Sequence, residues 1–131
     1  VANIKNAGDR ATKWIHWAAR GIGSLVAALW LFVGVVSAMY ETGPRSWEDT
    51  VMAGLMITSV LGVLIAWWRE GIGGTIVVIC GVAHSTFAYV VAGHNRLLAV
   101  LVSGGPFLLI GILFLTSWWR TTRRRVPQSR A

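Results

Sequence analysis

Four long stretches of this chain contain no Asp, Glu, Lys or Arg: Gly21 to Tyr40, Thr50 to Trp68, Gly71 to Ala92 and Leu97 to Trp119. A helix needs about 20 apolar residues to cross a hydrocarbon core of about 30 Å, and each stretch is close to that length. The polar breaks between them are short: Glu41 to Asp49, Arg69-Glu70, and Gly93 to Arg96. Such short connections make successive helices antiparallel neighbours. The pattern therefore predicts an all-α integral membrane four-helix bundle. It forms a single transmembrane domain over residues 1–131, with spans at about 21–40, 50–68, 71–92 and 97–119. Ahead of the first span, Asp9 is a candidate N-cap, and Trp14 and Ile15 can dip into the interface. The basic start, the apolar run and Val36-Ser37-Ala38 also resemble a cleavable leader. The run is about 18 residues, however, longer than the roughly 7–15 of such a segment, so we read it as a span.

Composition sharpens this reading. The chain is 55% hydrophobic and 13% charged, against roughly 25% charged in an ordinary soluble domain. The net charge of +7 lies almost wholly outside the apolar runs. Lys5, Arg10, Lys13, Arg20, Arg69, Arg120, Arg123, Arg124, Arg125 and Arg130 fall on one side of the predicted membrane, and only Arg45 and Arg96 on the other. Cytoplasmic loops carry the excess of basic residues, so both termini are expected in the cytoplasm. Topology accounts for the charge without a nucleic-acid partner. Trp14, Trp17, Trp67, Trp68, Trp118 and Trp119 collect at the same boundary, where indole rings prefer to lie. With Arg120, Arg123, Arg124 and Arg125 of the basic tail 120–131 they form the predicted lipid interface. The lone cysteine, Cys80, sits inside an apolar run and reads as a small hydrophobe.

Two segments recur. Arg20-Gly21-Ile22-Gly23 returns as Glu70-Gly71-Ile72-Gly73, and Trp67-Trp68-Arg69 returns as Trp118-Trp119-Arg120. The chain thus reads as two helical hairpins in a parallel pseudo-repeat. Gly21, Gly23, Gly71, Gly73 and Gly81 are the candidate packing positions, because small residues let membrane helices approach closely.

The run Trp67-Trp68-Arg69-Glu70-Gly71-Ile72-Gly73-Gly74 and the segment Gly111-Ile112-Leu113-Phe114-Leu115-Thr116-Ser117-Trp118-Trp119 resemble a set of small prokaryotic four-helix membrane proteins of a domain-of-unknown-function family. The resemblance implies a bacterial or archaeal membrane and brings no activity or catalytic residue with it. Small multidrug transporters resemble the chain in size, but they depend on a glutamate in the first helix that is missing here. Cytochromes of the b type need paired histidines at one depth, which are also missing.

Polar residues inside a bilayer are costly, so each is a functional candidate. At 1.5 Å per residue His84 lies about 12 Å from the outer end of the third span, with Thr58 and Ser59 at about the same depth and Ser103 slightly shallower. Thr58, Ser59, His84 and Ser103 form the predicted intramembrane cluster, flanked by Ser85 and Thr86. Gly81 and Ala88 share the face of His84 and point it inward. His84 is also the one candidate cofactor ligand. His16 and His94 lie at opposite ends, so the chain alone supplies no haem pair. No cofactor is predicted, and a pigment or haem held with a partner is the alternative. Pro106, in Ser103-Gly104-Gly105-Pro106, predicts a kink in the fourth helix. No metal-ligand set, nucleotide loop, carboxylate pair or nucleophile–base pair is present, and no enzyme is expected. The expected function is a non-catalytic membrane subunit or accessory protein, packing against itself or a larger membrane complex. The alternatives are a small dimeric transporter or channel, and a pigment- or haem-holding subunit.

Overall fold

A computed structural model describes residues 2–125. The chain forms five α-helices: α1 (Ala2–Tyr40), α2 (Trp47–Trp68), α3 (Glu70–Val91), α4 (Arg96–Ser103) and α5 (Gly105–Arg124). The all-α class stands, but the expected four-helix bundle does not, because the last apolar stretch is two helices bent by 41°. Continuing α4 would place the Pro106 ring against the carbonyl of Val102. Instead α4 ends at Ser103 and α5 restarts at Gly105, with proline in its first turn, where its missing N–H costs nothing. Gly104 lies at the break against α3. A Cβ there would stand 1.9 Å from Ser85 Oγ and 2.6 Å from the Gly81 carbonyl.

The two expected matching hairpins fail with it. α1 runs for 39 residues, about 58 Å at the standard rise. No proline lies between Ala2 and Gly21, and the single Gly8 is tolerated inside a helix, so it continues through the charged flank. Gly21-Ile22-Gly23 therefore lies deep inside α1, whereas Gly71-Ile72-Gly73 opens α3. Gly21 has open space where a side chain would stand, so it is not a packing position. Gly71 lies under the Trp118 ring, Gly23 under Phe114 and Ile110, and Gly81 beside Leu108. Gly73 meets the backbone of Ala66. Asp9 is likewise no N-cap but an interior residue of α1.

α2 starts at Trp47 through a capping box. Ser46 Oγ accepts from the Asp49 N–H at 3.3 Å, and the Ser46 N–H donates to Asp49 Oδ2 at 2.9 Å. Glu48 and Asp49 place negative charge on the positive end of the helix dipole. A single non-helical residue, Arg69, turns α2 into α3. Asn95 in left-handed backbone (φ 55°) starts α4.

α3 and α1 lie diagonally apart, and α2 and α5 each pack on both. The core is Phe107, Ile110 and Phe114 of α5 against Val77 of α3, Val63 and Ala66 of α2, and Ala19 and Ala27 of α1. Trp30 tilts against Phe107 at 6.1 Å. Three helices are long and apolar enough to cross a membrane: α1 over Asn6–Tyr40, α2 and α3. The bent pair α4–α5 passes the same test when taken as one. The expected basic tail lies outside the described residues beyond Arg125.

Candidate functional site

The predicted polar cluster does not assemble. Thr58 is exposed on the outer surface of α2, its hydroxyl donating to the Gly54 carbonyl at 2.8 Å. Ser59 is buried, but its hydroxyl donates to Leu55 of its own helix at 2.8 Å. His84 is 2% exposed. Its Nδ1 lies 2.9 Å from the Cys80 carbonyl, one turn back on α3. A carbonyl only accepts, so Nδ1 carries the hydrogen. The imidazole stacks on Phe107 at 5.1 Å. Ser103 is buried with no hydrogen-bond partner, and so is the hydroxyl of Ser85 across the α4–α5 break. Among the described residues no hydrogen bond joins Ser59, His84 and Ser103. Each bonded hydroxyl uses the carbonyl four residues earlier, the ordinary way a Ser or Thr is satisfied inside a helix.

The interlocked chemistry lies instead at the tryptophan end. Glu70 is the first residue of α3, where a carboxylate suits the helix dipole. Its Oε1 pairs with His16 Nδ1 of α1. Its Oε2 accepts from Ser117 Oγ of α5 at 3.0 Å, and that hydroxyl also lies 3.5 Å from His16 Nδ1. Ser117 is 0% exposed. The Glu70 carboxylate therefore ties three helices at one point. The composition resembles a Ser-His-acid triad, but the geometry does not. Acid and serine meet the same imidazole nitrogen, Nδ1, and the hydroxyl donates to the acid itself, whereas a triad sets them on opposite ring nitrogens so that the histidine takes the serine's proton. The hydroxyl is also shut away from any substrate. The arrangement is a clasp.

Two more ties flank it. Arg20 of α1 donates from Nη2 to the Trp67 carbonyl at 2.8 Å, placing a cation on the free carbonyls ending α2. It also lies over the Trp67 ring at 5.6 Å, and Trp67 Nε1 donates to Ser24 Oγ at 3.1 Å. Farther out, Arg124 of α5 pairs with Asp9 of α1 and donates to the Gly8 carbonyl at 2.7 Å. Arg123 stacks on Trp119 at 3.8 Å. The six tryptophans of the expected belt, Trp14, Trp17, Trp67, Trp68, Trp118 and Trp119, are exposed around this end, as is Arg120. Beside the clasp opens a cavity of about 960 Å³, its wall including Arg20, Arg69, Arg125, Glu70, Trp68 and Trp118.

Sequence reasoning passed over this site. His16 reads only as an end residue unable to form a haem pair, Glu70 as half of a turn, and Ser117 as part of the family-like segment Gly111 to Trp119. One signal was available. Asp9 and Glu70 are the only acids among the many basic residues of that side, and each turns out to pair with a nitrogen-bearing side chain from another helix, Arg124 and His16.

Over residues 8–128 the chain matches a family described as a domain of unknown function, DUF7670, and it belongs to that family. No curated protein and no solved structure shows detectable similarity to it.

Proposed function

We propose that this protein is a non-catalytic integral subunit of a prokaryotic inner (plasma) membrane that associates through the outer half of α1, with itself or with a larger membrane complex. In this reading α1, α2 and α3 each cross the bilayer, the bent pair α4–α5 crosses once, and both ends are cytoplasmic. The ten-to-two bias of basic residues toward the tryptophan end supports that orientation. The family resemblance supports the prokaryotic host.

The observation that carries the association is the state of α1 beyond Trp30. Eight of the ten residues from 31 to 40 are exposed, leaving only Gly34 and Val36 half-covered. A lipid-facing helix of a self-sufficient bundle keeps one side against its neighbours, and this segment is uncovered nearly all round. Gly34 meets Met56 of α2, and Phe32, Val35 and Met39 stand free. The alternative readings, transport through His84 or a pigment or haem on it, need that side chain to be reachable. It lies buried under Phe107.

Single cysteines at Phe32, Val35 and Met39, in a Cys80→Ala background, test the association by oxidative crosslinking in native membranes. A dimer or one discrete heavier adduct is expected at those positions, and none at Leu64 of α2. Absence of any adduct at all three, with labelling intact, would remove the proposal.

A further inference from the structure

We infer that the cavity beside the clasp is a binding site for the phosphate of an anionic phospholipid. The inference rests on the membrane reading above. Arg69 and Arg125 line it from the α2–α3 turn and the end of α5, and Arg20 lines it from α1. Arg69 and Arg125 are exposed, and Arg20 Nε is buried without an acceptor among the described residues. The first turn of α3 also lines the cavity and has no side-chain cap. Its free N–H groups point where an anion is stabilised. The one carboxylate in the wall, Glu70, is already engaged by His16 and Ser117. Positive charge is therefore in surplus in the wall.

The rest of the lining is different. Ile72 and Ile76 of α3 and the Trp68 and Trp118 side chains supply apolar surface, interspersed with the hydroxyls of Thr75, Thr121 and Thr122. Arginines combined with apolar side chains in one wall match a headgroup followed by its acyl chain. A free phosphate would use only the arginines. Basic pockets between helices at a membrane surface recognise lipid headgroups through this combination.

The test uses the full chain reconstituted in equal parts phosphatidylcholine and phosphatidylglycerol, extracted gently, with retained lipid read by native mass spectrometry. Wild type should retain phosphatidylglycerol preferentially. R69Q/R125Q should lose that preference by about tenfold, while R120Q/R123Q, the same charge change outside the cavity, should keep it. Thr122→Glu, which adds a carboxylate to the wall, should act like R69Q/R125Q and carries the test if that variant does not fold. Millimolar inorganic phosphate should displace nothing. The site fails if wild type shows no preference, if both arginine pairs act alike, or if free phosphate displaces the lipid. Release of the chain from membranes by alkaline carbonate would instead remove the membrane reading. An embedded chain indifferent to lipid charge removes this site alone.

Discussion

The tryptophan end of this molecule and the opposite end, the outer one in the proposed topology, hold their helices together differently. At the tryptophan end, side chains reach across helices: Glu70 to His16 and Ser117, Arg20 to Trp67, Trp67 to Ser24, and Arg124 to Asp9. Toward the outer end, Thr58, Ser59, Thr86 and His84 all bond within their own helix. Helix contact there depends on shape alone. In the membrane reading proposed above, the difference follows from solvent. Near the interface, charged groups are partly wet and can be paired at modest cost. In the middle of an apolar layer a polar group is costly unless satisfied at once, and the nearest acceptor is always the carbonyl one turn back. The chain thus fixes helix positions at one end and leaves the other, including the outer half of α1, open to further contacts.

The most severe break should come from Gly73→Ala. The new methyl would stand 2.1 Å from the Ala66 backbone nitrogen, and no rotamer can relieve a backbone clash. α2 and α3 would have to separate beside the clasp, at a cost of about 3 kcal/mol or more. Thermal unfolding in detergent should show a large fall in midpoint. A fall no greater than that of Gly21→Ala, which meets open space, would mean that the two helices are not in close contact.

Next in size is Glu70→Ala. It leaves the buried Ser117 hydroxyl and His16 without their acceptor, which should cost about 2 kcal/mol. Because the penalty comes from orphaned partners, Glu70→Ala with Ser117→Ala should cost less than the sum of the single changes, by about 1 kcal/mol. Strict additivity would show that carboxylate and hydroxyl do not interact. His84→Leu is the matching change at the other end and should cost less than about 1 kcal/mol. Its only hydrogen bond is to the Cys80 carbonyl, which already serves the helix ladder, so removal orphans nothing. An effect as large as that of Glu70→Ala would place an unseen partner on His84 and erase the contrast between the ends.

The same contrast explains what could be read from the sequence. Hydropathy reports where lipid would surround a helix, so the ends of α2 and α3 fall within three residues of the apolar runs. It does not report where a helix stops once charge begins. α1 therefore extends through Lys13, Arg10 and Asp9 beyond its apolar part. The Pro106 kink was legible from ring sterics, but its magnitude was not. It depends on Gly104 settling against Ser85 and Gly81, residues some twenty positions earlier. The predicted cluster at Thr58, Ser59, His84 and Ser103 rested on matched depth. Depth says nothing of which way a side chain faces, and Thr58 faces out. The clasp needs residues 16, 70 and 117 on facing sides of three helices, and that rotation is set by packing over the whole length.

The smallest effect is expected where the tryptophan end meets water. Asp9 and Arg124 form an ion pair with their side chains 63% and 46% exposed. Water screens such a pair, and ordering two mobile side chains offsets most of the attraction, so Asp9→Asn should change stability by about 0.5 kcal/mol or less. Added salt should reduce even that. Arg124 also donates to the Gly8 carbonyl, so Arg124→Gln should cost slightly more than Asp9→Asn. A double-mutant cycle separates the ionic part from this backbone bond. A coupling above about 1 kcal/mol that survives high salt would mean that the pair is shielded from water. The extended part of α1 and the end of α5 would then be a buried contact, and the rigid zone of the molecule would reach well past the Glu70 clasp.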